Sequence, residues 1–93
     1  MRRVPHEKIK TWGIPSGGIG LDVLVKRGVT DAQLSDLVRT YQRNGARVIF
    51  IYDRQSDVQA HTPAYHWMSG NDDGIYEWRS WNENPRRVKE SSR

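Results

Sequence analysis

The chain has 93 residues and no cysteine, and its 15 lysines and arginines against 11 aspartates and glutamates give a net charge of +4 at pH 7. This length indicates one domain with a small core, and the lack of cysteine excludes disulfides, thiolate metal sites and cysteine nucleophiles. No apolar run approaches the roughly 18 residues of a membrane span, and none follows the N-terminal arginines as a secretory signal requires. We therefore expect a cytoplasmic protein that does not bind membranes.

The positive charge lies at the two ends of the chain. Residues 1–10 and residues 86–93 each carry a net charge of +3, whereas the segment between them carries −2. The sequence isoelectric point of 9.8 invites a nucleic-acid interpretation, but this distribution does not indicate a folded basic face. We expect flexible basic tails over residues 1–10 and 83–93, flanking a single domain over residues 11–82.

The first part of the chain contains a glycine-rich loop between two candidate strands. Residues 8–12 alternate in polarity and favour a short edge strand, and residues 13–20 predict a loop because of their proline and glycines. These glycines precede a strand, whereas a dinucleotide-binding loop requires them after one, so no phosphate site is expected. Residues 21–25 are apolar at nearly every position, which is typical of a strand buried on both faces.

The clearest pattern is a helix that begins after Thr30 and ends near Gly45. Thr30 and Gln33 have capping-box spacing, and Asn44-Gly45 supplies a left-handed stop. One apolar stripe recurs at helical spacing between them, at Leu34, Leu37, Val38 and Tyr41. Residues 47–52 follow at once as an apolar strand, which predicts a right-handed parallel β-α-β crossover. In the alternative arrangement, the two strands are not adjacent in the sheet.

Residues 64–68 and 75–81 predict an aromatic β-hairpin, because an Asp-Gly turn signal lies between them. Its aromatic and basic side chains suit a protein interface or stacking with nucleic-acid bases. They also suit the core of a domain that is poor in leucine and isoleucine. The candidate binding residues are Tyr65, Trp67, Tyr76, Trp78, Arg79 and Trp81.

Together these elements predict an α+β fold in one small domain: β-α-β followed by an aromatic β-hairpin, with one helix packed on one face of a three- to four-stranded sheet. One helix covers one face only, yet residues 47–52 are apolar on both faces. Large uncovered apolar patches are uncommon on monomers. Something must therefore cover the second face, and the candidates are the segment around Trp12, a second copy of the chain or another partner.

One polar cluster has catalytic potential. It follows the C-terminal end of the predicted central strand, where the active sites of parallel sheets lie. In a small toxin-type ribonuclease, His61 and His66 would serve as acid and base, with Asp53 and Arg54 near the scissile phosphate. Their spacing matches no recognised site, so we expect no catalytic residue, no metal and no cofactor.

The sequence thus favours a small non-enzymatic intracellular module that binds a protein partner, or itself, through an aromatic sheet face. The alternative is a nucleic-acid-binding protein or small ribonuclease whose basic ends contact phosphates, through Arg2, Arg3, Arg86 and Arg87. The two hypotheses differ in whether the aromatic face or the basic ends carry the binding.

Overall fold

The structure, a computed structural model, describes residues 4–70, 72–78 and 85–90. They form one five-stranded mixed sheet and two helices, which confirms the predicted α+β class with more strands than the three or four expected. In chain order the elements are β1 (His6–Gly13), β2 (Ile19–Val25), α1 (Asp31–Arg43), β3 (Ala46–Tyr52), α2 (Gln55–Gln59), β4 (Tyr65–Met68) and β5 (Ile75–Glu77). Neither of the helices in these described ranges is long and apolar enough to cross a membrane.

The β2-α1-β3 unit forms the centre of the sheet. β2 and β3 pair in parallel, with Leu21 opposite Ile49, so α1 connects two adjacent strands. The predicted capping box is present: the Gln33 amide donates to the Thr30 hydroxyl, and the Thr30 amide donates to the Gln33 side chain. Because this cap satisfies amides that the first helical turn leaves without partners, the start of α1 is set locally.

Two segments that were assigned to flexible tails, residues 6–10 and 85–90, make backbone hydrogen bonds to strands of the sheet. β1 pairs antiparallel with β2, so residues 6–10 lie in a strand and not in a tail. At the other edge, residues 85–90 lie along β5. There the Val88 amide donates to the Ile75 carbonyl at 2.6 Å, and the Glu77 amide donates to the Arg86 carbonyl at 2.7 Å. The tails were predicted from their lysines and arginines, but such residues also occur on edge strands, where they prevent pairing with other chains.

Polar contacts fix this C-terminal segment to the start of α1. The Arg86 guanidinium lies 2.7 Å from the Asp31 carboxylate, and the Lys89 amide donates to the same carboxylate at 2.9 Å. The hydrogen bonds from Arg86 and Lys89 hold the pKa of Asp31 below its ordinary value, because they favour the charged carboxylate. Arg86, which was predicted to contact phosphate, therefore pairs with a carboxylate of its own domain.

The two faces of the sheet differ in their surroundings. One face packs against α1 and forms the core, with Leu21, Ile49 and Trp67 completely buried against Leu34 and Val38. Side chains alternate along each strand, so the intervening residues point to the face opposite α1, here called the second face. By strand register, and for Trp78 by its ring contact with His66, the second face carries Glu7, Lys10, Trp12, Gly20, Asp22, Leu24, Val48, Phe50, Tyr52, His66, Met68, Tyr76 and Trp78.

The packing of residues 85–90 is tested by shortening Val88, which is 2% exposed. Val88→Ala should lower the free energy of unfolding by about 1–3 kcal/mol, because it leaves a cavity in the core. Lys89→Ala is the control and should have an effect within about 0.5 kcal/mol, since that side chain is exposed. Urea denaturation measures both variants. Two effects near zero would show that the segment does not pack on the domain.

Candidate functional site

Four ring side chains form a continuous row across the second face, called the aromatic row. The ring centroids of Trp12 and Phe50 lie 6.2 Å apart with an interplanar angle of 17°, and those of Phe50 and His66 lie 5.0 Å apart at 10°. Trp78 follows His66 at 4.9 Å and 57°. Phe50 and His66 are register partners on adjacent strands, whose side chains approach to about 5 Å. Strand pairing therefore sets the ring spacing.

β2 contributes no ring to the row, and Gly20 explains how the row crosses it. Gly20 is the register partner of Trp12, and a Cβ atom at position 20 would lie 2.2 Å from the Trp12 indole. The indole therefore lies over the glycine backbone and reaches Phe50 on the next strand. Sequence reasoning placed Gly20 in a loop. The available signal was a glycine next to a strand, which can mark a close approach of another group to the backbone.

Gly20→Ala should displace Trp12 from the aromatic row and lower the free energy of unfolding by about 1–3 kcal/mol, because the methyl group overlaps the indole. Gly13→Ala is the matched control, since Gly13 also lies in the β1–β2 pairing and nothing lies within 4 Å of its Cβ position. Ring-proton Overhauser contacts between Trp12 and Phe50, together with urea denaturation, measure the effect. Contacts that survive in both variants would contradict this arrangement.

His66 lies at the buried centre of the row. It is 7% exposed, its ring adjoins both Phe50 and Trp78, and its Nε2 atom has no hydrogen-bond partner in the part of the chain that the structure describes. Burial lowers the pKa of His66, because removal from water disfavours the imidazolium. This imidazole is therefore a neutral packing group and is not placed to meet a substrate.

The lowered pKa of His66 predicts that stability falls on acidification. The unfolded chain protonates this histidine near pH 6.5 and the folded chain only at lower pH, so the unfolded state binds more protons as the pH drops through about 6.5. The contribution of His66 to the free energy of unfolding is therefore fully present above that pH and declines below it. His66→Phe, which keeps the ring, should flatten this decline, as measured by urea denaturation between about pH 7.5 and pH 5.5. His61→Gln, in an exposed loop, should preserve it, and an unchanged decline in His66→Phe would refute the assignment.

A cleft of about 450 Å³ opens on the second face around Asp22. Asp22 lies opposite Lys10 of β1 and Phe50 of β3, and it is shorter than both, so its carboxylate lies at the floor. The connection between α2 and β4 supplies one wall through His61, which has a φ angle of 56°. The complete lining is Lys10, Trp12, Asp22, Phe50, Tyr52, His61 and Pro63.

The Asp22 carboxylate is half-buried and makes no hydrogen bond or ion pair with any other residue of the described ranges. Burial raises the pKa of Asp22, and the positive charges of Lys10 and His61 partly oppose that rise. Burial and the nearby Asp22 charge raise the pKa of Tyr52. The carboxylate has therefore lost part of its hydration without gaining a bond inside the described domain, which is unfavourable.

The structure separates the six hairpin residues predicted to bind a partner. Tyr65 and Trp67 face α1 and are buried in the core, because they alternate with His66, which faces the other way. Tyr76 and Trp78 lie on the second face. Arg79 and Trp81 lie outside the described residues. Sequence reasoning missed Trp12, Phe50 and Asp22 as members of one site.

The predicted catalytic residues lie in different environments. His61 is exposed and lines the cleft, whereas His66 is buried in the aromatic row. Arg54 is exposed at the start of α2, and Asp53 is buried at the end of β3. Within residues 4–70, 72–78 and 85–90, no three His, Asp or Glu side chains lie close enough together to hold a metal ion.

The four arginines predicted to contact phosphates are also divided. Arg2 and Arg3 lie outside the described residues. Arg86 pairs with Asp31, and Arg87 forms a β-bridge with Tyr76. Arg86 and Arg87 are therefore part of the folded edge of the sheet.

Nothing matches this chain among protein-family models, curated proteins or solved structures.

Proposed function

We propose that this protein is a non-enzymatic interaction module that binds a protein partner, with a second copy of the chain as the first candidate, through the second face. The aromatic row is the observation that supports this proposal. Trp12, Phe50 and Trp78 are each only partly buried, and Met68 on the same face is 38% exposed. Tryptophan and other large side chains of this kind carry much of the binding energy at protein interfaces.

The way in which the rings stack favours protein over nucleic acid. A nucleic-acid base needs an accessible ring face on which to stack, but Phe50 has Trp12 on one side and His66 on the other. The partly buried Trp12 and Trp78 at the ends of the row and the exposed Met68 side chain remain to face a partner. Such a surface suits apolar side chains, and the methionine adapts readily to their shape.

The size of the second face limits how strongly two copies can associate. Five strands spaced about 4.8 Å apart are about 24 Å wide, and the seven residues of β2 or β3, rising about 3.3 Å each, are about 23 Å long. Because β4 and β5 have only four and three residues, the projected area is at most about 550 Å², which is smaller than the roughly 800 Å² per partner of a stable interface. We therefore expect self-association that depends on concentration in the micromolar range or above.

Nucleic-acid binding is the second candidate, and the positions of Lys10 and His61 favour it. Both groups line the cleft and are exposed, where they would meet a phosphate. The ribonuclease version requires two groups acting on one phosphate, and of its proposed pair only His61 is exposed while His66 is buried. A cytoplasmic location stays a prediction in either case.

Met68→Glu should weaken association through the second face at least about tenfold, because it places a charge in an apolar contact. Ala32→Glu is the matched control, since it places the same charge on an exposed position of α1 and should leave association unchanged. Sedimentation measurements from about 1 μM to about 1 mM would follow the mass of each protein.

A selection of displayed random peptides against the wild-type protein, with counter-selection against Met68→Glu, extends the test to other protein partners. We expect enrichment of peptides that distinguish the two proteins. A monomer at every concentration, combined with no peptide that distinguishes the variant, would contradict the proposed function.

A further inference from the structure

The Asp22 carboxylate is half-buried and forms no hydrogen bond or ion pair within the described residues, whereas two other carboxylates have such partners. Asp31 is held by Arg86, and Asp72 accepts a hydrogen bond from the Tyr76 hydroxyl. Lys10 lies opposite Asp22 in the strand pairing, yet the two form no ion pair in the described part of the chain. A donor that entered the cleft would therefore replace hydration that the carboxylate has already lost.

The walls of the cleft favour a planar cation. Trp12 and Tyr52 provide aromatic surface beside the carboxylate, and cations are attracted to the faces of aromatic rings. A guanidinium is planar and weakly hydrated, and it donates two parallel hydrogen bonds to a carboxylate. An ammonium loses more hydration on entering such a cleft and cannot stack.

We infer that the cleft around Asp22 binds the guanidinium group of an arginine side chain supplied by the protein partner. This inference rests on the proposed function, because it names the chemistry that the partner presents to the second face. The guanidinium pairs with the Asp22 carboxylate at the floor and lies against the aromatic walls. The cleft volume of about 450 Å³ is within the range of side-chain and small-ligand sites.

Two groups oppose a cation in the cleft, Lys10 from β1 and His61 from the connection between α2 and β4. Both side chains are exposed, so water screens their repulsion more than it screens the attraction of the half-buried Asp22. Removing the Lys10 charge should therefore strengthen the binding of a guanidinium. The same change should weaken the binding of an anionic ligand such as a nucleotide phosphate. The effect of a Lys10 substitution on affinity therefore distinguishes a cationic ligand from an anionic one.

The test titrates the full chain with N-acetyl-arginine amide and follows the backbone amide resonances. We expect saturable shifts centred on Trp12, Asp22 and Phe50. N-acetyl-citrulline amide has nearly the same shape without the charge, and it should bind at least about tenfold more weakly. Because this comparison uses the wild-type protein, it decides the question even if a variant fails to fold. Equal binding of the two compounds overturns the inference.

Two variants then locate the site. Asp22→Asn should weaken the arginine compound about tenfold, which corresponds to the loss of one charge-assisted interaction, and Lys10→Gln should strengthen it severalfold. No change in Asp22→Asn, or weaker binding in Lys10→Gln, overturns the inference. A parallel titration with guanosine monophosphate covers the competing ligand class. If the protein binds the nucleotide but not the arginine compound, and Lys10→Gln weakens that nucleotide binding, the cleft is a nucleotide site. This outcome also overturns the inference.

This test is separate from the test of the proposed function. Association that depends on Met68, without binding of the arginine compound, overturns the cleft assignment and leaves the interaction module intact. Binding of the arginine compound at Asp22, without any association that depends on Met68, supports the cleft assignment and contradicts the proposed partner surface.

Discussion

The whole structure depends on the parallel pairing of β2 with β3 across one helix. This pairing buries Leu21 and Ile49 under α1, and strict alternation along the same strands sends Asp22 and Phe50 to the opposite face. One crossover helix covers one face of a sheet only, so the second face must be completed by its own side chains or by a partner. The core and the candidate site are therefore two consequences of one strand register.

The aromatic row shows how the second face is partly completed from within. Each ring packs against a neighbouring ring, so each removes apolar surface of the next from water. Gly20 lets the row cross β2, and His66 contributes as a neutral ring whose pKa is lowered by burial. Such a face buries part of its own apolar surface and leaves Met68 exposed.

Local charge placement, and not net charge, sets the electrostatics of the candidate site. The net charge of +4 suggests an anionic partner, but Arg86 is engaged by Asp31 at the sheet edge. At the cleft the decisive group is a carboxylate, Asp22, whose hydration is reduced and not replaced within the described domain. A desolvated charge without a partner is a stronger indication of a ligand than a surplus of solvated lysines and arginines.

The sequence by itself determined the elements whose stabilising contacts are local. The capping box at Thr30, the apolar stripe of α1, the crossover and the hairpin all follow from spacings of a few residues. Tertiary structure alone decided the packing of residues 85–90, because contacts such as that of Arg86 with Asp31 join segments far apart in the chain. It also decided that Trp67 is core while Trp78 belongs to the row, since a one-residue change of register exchanges the two faces. The cleft combines Lys10, Asp22 and His61, which no local pattern connects.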